Sequence, residues 1–189
     1  MLIGLTGLTG SGKTSASEFF RKKGAFVIDC DALAHEVIEY KEVKEKLLQA
    51  FGENIFGTDG SVARKALGAI VFSDSKKLCA LNGIIHPAIK EEIKALCKKA
   101  SEEIIVIDGS ELQSSGVDDL CDLIIVIEAD EKLRVSRIMK RDSITEEAAL
   151  LRIRAQKNYS KEAIRIENSD GIEALFEKLE AVYKRIAKE

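Results

Sequence analysis

Four stretches of the chain are apolar without a helical rhythm, and each is short. Residues 2–6 (Leu-Ile-Gly-Leu-Thr), 25–28 (Ala-Phe-Val-Ile), 104–107 (Ile-Ile-Val-Ile) and 123–127 (Leu-Ile-Ile-Val-Ile) read as buried strands. A shorter fifth strand is expected near Ile164–Glu167. Between them the spacing turns helical. Ala16, Phe19 and Phe20 share one face of a helix over 15–23, which Gly24 stops. Val43, Leu47, Leu48 and Phe51 form a second stripe, and 64–72 reads as a short helix. Pro87 suits the first position of a new helix whose inner stripe is Ile89, Ile93, Leu96 and Cys97. A helix over 131–141 follows the fourth strand. Ser143-Ile144-Thr145-Glu146 has the capping-box pattern that starts the next one. Ile172, Leu175, Phe176, Leu179, Val182, Tyr183 and Ile186 stripe the last helix. Apolar strands alternating with helices predict an α/β fold of three layers, αβα, around a five-stranded parallel sheet. The helical stretch 32–100 is too long for one crossover and is expected to be an inserted helical lobe within a single domain, 1–189.

Composition narrows the partners. With 29 basic and 32 acidic side chains the net charge is −3, which argues against nucleic acid as the main partner. No apolar run approaches the ~20 residues of a membrane span. The chain runs from Met1 directly into a motif, so no signal peptide and a cytoplasmic setting are expected. Cys30, Cys79, Cys97 and Cys121 lack the close pairing of zinc ligands and read as reduced thiols.

The motif is Gly7-Leu8-Thr9-Gly10-Ser11-Gly12-Lys13-Thr14, which fits the P-loop G-x-x-x-x-G-K-[ST] in its required strand–loop–helix context. Glycines let successive backbone N–H groups converge on an anion, and the helix that follows adds its positive end. Leu8 to Ser15 are therefore expected to bind a nucleotide: Leu8, Thr9, Gly10, Ser11, Gly12, Lys13, Thr14 and Ser15. Lys13 would reach the β- and γ-phosphates, and the Thr14 hydroxyl would ligate Mg²⁺. Asp29 and Asp31 end the second strand, where ligands of open α/β sheets bind. One can cap the next helix while the other accepts the proton of an attacking hydroxyl, and Asp31 is the favoured base. Asp108 ends the third strand as a metal-holding carboxylate would, or else as a turn residue. Arg134, Arg137 and Arg141 share a helix face, and Arg141 is expected to meet phosphate from a lid over 131–157. His86, before Pro87, reads equally as a substrate contact or a packed turn residue.

Taken in order, these landmarks resemble the dephospho-CoA kinase family. Ile3-Gly4-Leu5-Thr6-Gly7 with the P-loop is similar to its opening, and Val27-Ile28-Asp29-Cys30-Asp31 to its V-I-D-A-D. Phe51-Gly52, Asp59-Gly60 and Arg64 resemble its F-G…D-G…R segment, and Val71-Phe72 and His86-Pro87 its V-F and H-P. Arg137 to Asp142 resembles its R-x-x-x-R-D, Arg152-Ile153 with Gln156 its R-I-x-x-Q, and Ile166 with Asn168 its I-D-N. The resemblance implies a P-loop kinase moving the γ-phosphoryl group of ATP, with Mg²⁺, to the ribose 3′-hydroxyl of dephospho-CoA. It implies Asp31 as base, Lys13 and Arg141 on phosphate charge, and Asn168 near the adenine. It places Asp31, Arg64 and His86 on the acceptor side, with the helical lobe holding the acceptor. One segment departs: where the family reads D-x-P-L-L-F-E-S-G, this chain has Asp108-Gly109-Ser110-Glu111-Leu112-Gln113-Ser114-Ser115-Gly116. Residues alone leave open another nucleotide kinase or an ATP-binding sensor. A GTPase would need an N-K-x-D segment, and none is present.

Overall fold

The protein is described by a computed structural model covering residues 1–187. Five strands, β1 (Leu2–Gly7), β2 (Phe26–Asp29), β3 (Ile105–Asp108), β4 (Leu123–Glu128) and β5 (Ile164–Glu167), form one parallel sheet in the order β2-β3-β1-β4-β5. β1 is central: Ile3 pairs with Val106 of β3 on one side and with Leu123 of β4 on the other. The chain divides into two compact units, Met1–Ile28 together with the chain from Ser101 onward, and Asp29–Ala100.

In the first unit, strand alternation sorts side chains between two faces. Ile3, Leu5, Val106, Ile125 and Ile127 point to the face covered by α1 (Lys13–Lys22) and α9 (Ile172–Ile186), where Phe19, Phe20, Leu175 and Leu179 complete the main core. Gly24, in the left-handed region at φ 85°, follows the last turn of α1. The opposite face is crossed by the chain between β3 and β4, including the short α6 (Leu112–Ser115). At Gly4 this layer comes so close that an added Cβ would lie 2.4 Å from Ile124 Cδ1 and 3.1 Å from Leu112 Cδ1. Beyond β4 stand α7 (Glu131–Asp142) and α8 (Glu146–Arg154).

The second unit is helical: α2 (Cys30–Val37), α3 (Lys41–Phe51), α4 (Arg64–Val71) and α5 (Ser75–Lys99). α5 packs against the other three, with Ile85, Ile89 and Ile93 buried at a four-residue spacing.

Two sequence expectations are corrected here. Pro87 does not begin a helix; it sits inside the 25-residue α5. Its missing N–H and its ring act on the carbonyl of Gly83 four residues back. The packing of α5 against α2, α3 and α4 overrides that local break. Nor does Ser143 cap α8: it closes α7 in the left-handed region at φ 52°, and Thr145 is the cap, accepting from the Ala148 N–H.

The segment after β3 is tied to the one before β5. Gln113 donates to Ser160 Oγ at 2.7 Å and accepts the Ser160 N–H at 3.0 Å. The buried Asp118 accepts from Tyr159 Oη at 3.1 Å and pairs with Lys161 at 2.8 Å. Burial and the adjacent Asp118 charge push the Tyr159 phenol up to about 12, from an ordinary value of 10.0. The neutral phenol is what the fold favours, so the Tyr159–Asp118 contribution is complete below about pH 10 and is lost as pH rises toward about 12. Alkaline titration of phenolate absorbance should therefore find one tyrosine ionising last, and Tyr159→Phe should remove that step. The stability gap between wild type and this variant should close over the same interval.

Candidate active site

The loop between β1 and α1 is shaped by glycines at two close approaches. Gly10 and Gly12 lie in the left-handed region, at φ 80° and 102°. A Cβ on Gly10 would come within 2.8 Å of the Arg134 carbonyl oxygen, and one on Gly12 within 2.1 Å of Asn168 Nδ2. Only glycine meets both demands. The turn is closed by Ser11 N–H to Leu8 O at 3.0 Å, and Gly12 then accepts from Ser15 and Ala16 as α1 begins. The first turn of α1 carries no acidic residue and no side-chain cap, so the Lys13 and Thr14 N–H groups, without acceptors among the described residues, are left to an anion.

Lys13 is held at the floor of this loop. Its ammonium pairs with Asp108 at the end of β3, and the Ser17 hydroxyl from the next turn of α1 donates to the other carboxylate oxygen. Asp108 is 8% exposed, and both its oxygens are engaged. Thr14 is exposed, and its hydroxyl makes no hydrogen bond among the described residues.

Four side chains reach the loop from outside it. Arg137, midway along α7, donates to the carbonyls of Gly10 (3.2 Å) and Ser11 (3.3 Å), and to that of Asn168 (3.1 Å). Asn168, after β5, is 5% exposed and donates from Nδ2 to Ser11 O at 2.7 Å. Gln156, past the end of α8, accepts the Thr9 N–H at 2.6 Å. Arg141 stands one turn beyond Arg137. It grips Asp142 through two bonds of 2.7 and 2.9 Å and extends Nη2 to 3.5 Å from Thr9 Oγ1. Arg152 also pairs with Asp142. The Arg141 hydrogen bond, with both guanidinium charges, holds the Asp142 carboxyl below its usual range.

A phosphate-binding loop of this construction is common to many kinases. The whole chain is more specific. The family model for dephospho-CoA kinase matches residues 1–172. The chain belongs to the dephospho-CoA kinase family. It is 39% identical over 184 residues to a dephospho-CoA kinase of Fusobacterium nucleatum, covering 95% of each chain. It is 36% identical to one of Lactobacillus johnsonii, covering 98% of each. Among solved structures, a Thermus thermophilus protein matches with a TM-score of 0.83 at 31% identity, over 98% of this chain and 97% of that one. The dephospho-CoA kinase of Campylobacter jejuni shares the fold, with a TM-score of 0.71 at 24% identity over 99% and 97%.

In this member of the dephospho-CoA kinase family, Leu8 to Ser15, Asp108, Arg141 and Asn168 meet around the loop within the first unit. Asp31, Arg64 and His86 stand in the second. Asp29 caps α2, accepting from the N–H groups of Asp31 (2.9 Å) and Ala32 (3.0 Å). That leaves the exposed Asp31 carboxylate, in the first turn, without a hydrogen bond among the described residues. Arg64 opens α4 and is exposed; His86 is half-buried within α5. Sequence reading gave no role to Ser17, Arg137, Asp142 or Gln156. The spacings R-x-x-x-R-D and R-I-x-x-Q carried three of them, but spacing does not reveal that Arg137 and Gln156 bind loop backbone.

Proposed function

We propose that this protein transfers the γ-phosphoryl group of ATP to the ribose 3′-hydroxyl of dephospho-CoA, giving CoA and ADP. Family membership over nearly the full chain names the reaction class. The observation in this chain that supports it is the phosphate loop with Lys13 seated on Asp108 and Arg141 poised beside Thr9. In this reading, the backbone N–H groups of Gly10, Gly12, Lys13 and Thr14 bind the phosphates. Lys13 exchanges part of its hold on Asp108 for the β- and γ-phosphate oxygens. Arg141 releases part of its hold on Asp142 to meet charge that spreads over the transferring group. Asp31 orients the acceptor hydroxyl and takes its proton as the O–P bond forms. Arg64 and His86 contribute to holding the acceptor in the helical unit, and Asn168 and Arg137 keep the loop in shape.

The residues present suit Mg²⁺: Thr14 offers an unengaged hydroxyl, and Asp108, now held by Lys13 and Ser17, would offer a carboxylate oxygen as Lys13 turns to the phosphates, both hard oxygen donors. Mg²⁺ held there would supply charge neutralisation on the β- and γ-phosphates. α7 and α8, within 131–157, are assigned as a lid that excludes water during transfer. A cytoplasmic setting fits these substrates, and no described helix is long and apolar enough to cross a membrane. The test is ADP release with Mg-ATP and dephospho-CoA, with the product identified by mass. Saturable turnover yielding CoA is expected. ATP binding without turnover on dephospho-CoA would overturn the assignment of the acceptor.

A further inference from the structure

Beside the phosphate loop, the first unit holds a cavity of about 900 Å³ that is partly open to solvent. Its floor is the outer face of β1 and β4, at Thr6 and Val126. Its walls are the segment at α6 and the loop 157–160, and the first turns of α7 close one end. Gly7, Leu8 and Ser11 of the phosphate loop line its edge, but Thr9, Gly10, Gly12, Lys13 and Thr14 do not, so it adjoins the loop without reaching Lys13 or Thr14. No residue of the second unit lines it either.

Two polar groups on its wall lack partners. Arg134 is 6% exposed, and its Nε and Nη1 are buried with no hydrogen-bond acceptor among the described residues. Ser11 is 0% exposed, and its hydroxyl is equally unpartnered. Burying a guanidinium without acceptors costs free energy that an incoming anion would return. The acidic side chains of the wall do not serve it. Glu128 is paired with Arg165, Asp130 caps α7, Glu167 accepts the Ser169 hydroxyl and Glu111 that of Ser114. Glu131 is exposed and forms no ion pair with Arg134, while Lys157 adds a further cation to the wall beside Arg165.

The sequence accounts for the space. In the segment after β3, Ser110, Glu111, Gln113 and Ser114 stand where the resembled pattern has Pro, Leu, Phe and Glu. These four departures are the four residues of that segment that line the cavity. Apolar and aromatic bulk has given way to short or polar side chains, over an arginine with unmet donors.

We infer that this cavity is a second ligand site, taking a small organic molecule that bears a carboxylate or phosphate. Arg134 is the partner of the anionic group, through a planar fork suited to either. Ser11 adds a hydrogen bond. The volume is that of a metabolite-sized pocket rather than of a single ion. The site also adjoins the loop, because the Arg134 backbone lies against Gly10.

The test is a titration of the full chain, saturated with Mg-ADP, with malonate and separately with inorganic phosphate. It is followed by backbone amide NMR shifts at 110–114, 131–134 and 157–160. Malonate stands for a carboxylate ligand and phosphate for a phosphorylated one. Saturable binding of at least one probe is expected, below ~10 mM. Arg134→Gln should weaken it by about tenfold or more. Ser114→Trp, which fills the cavity from its exposed rim and keeps Arg134, should weaken it similarly and decides the matter if Arg134→Gln does not fold. Saturation by neither probe would mean a cavity holding only water and would overturn the inference. So would binding unchanged in the folded variants. The Arg134 comparison reads the same whether or not ADP binds, so its failure is distinct from a failure of the kinase assignment.

Discussion

Asp31→Asn is expected to lower kcat by roughly 10²–10⁴-fold, the range for loss of a positioned general base, while ATP affinity stays within about twofold. The local structure favours a clean result. Asp29, not Asp31, ties down the first turn of α2, so the substitution removes no hydrogen bond among the described residues. Asp29→Ala is the contrasting control, with a stability loss of about 1 kcal/mol from the lost cap. Steady-state kinetics with nucleotide binding by calorimetry separates the outcomes. Equal losses in kcat and ATP affinity would overturn the assignment of Asp31 as base and point to a role in holding metal or nucleotide.

Lys13→Ala is expected to reduce kcat/KM by roughly 10²–10³-fold, as for other losses of a donor aimed at developing charge. It carries a second effect that the geometry makes separable. Without the ammonium, the buried Asp108 keeps only the Ser17 hydroxyl, so stability should fall by about 1–3 kcal/mol. Adding Asp108→Asn removes the stranded charge and should recover much of the stability but none of the turnover. If the double variant regained activity, Lys13 would be acting only as the counter-ion of Asp108.

The strands and the loop were legible because their signals are local. The run Ile104-Ile105-Val106-Ile107 needs no partner to be recognised as a buried strand, and the loop motif specifies its own backbone. Misreadings came where distant residues decide. Pro87 carries a strong local signal for a helix start, yet packing of α5 against α2, α3 and α4 carries the helix through it. Ser143 fits a capping box, but the turn out of α7 uses it first. Arg134, Arg137 and Arg141 look alike as a stripe. In the structure Arg134, in the first turn of α7, is buried, Arg137 binds three carbonyls, and Arg141 lies at the rim with Asp142. Periodicity gives a shared face but not the depth at which each side chain ends. The ties from Gln113 and Asp118 to 159–161 span more than 40 residues, and no local pattern announces them.

The central place of β1 has a consequence for how the chain is made. Leu2 pairs with Ile105, and Ile3 with Leu123, so the first strand synthesised has no partner until over a hundred further residues have emerged. At ~5–20 residues per second, β1 leaves the ribosome about 5–20 s before β3 is available. The helical unit Asp29–Ala100, complete within that interval, can condense first. Nascent chains should thus pass through a stage in which β1 is an unpaired apolar strand, a natural client for a holding chaperone. Sheet closure, with its long loop to tie off, should set the slow step of refolding.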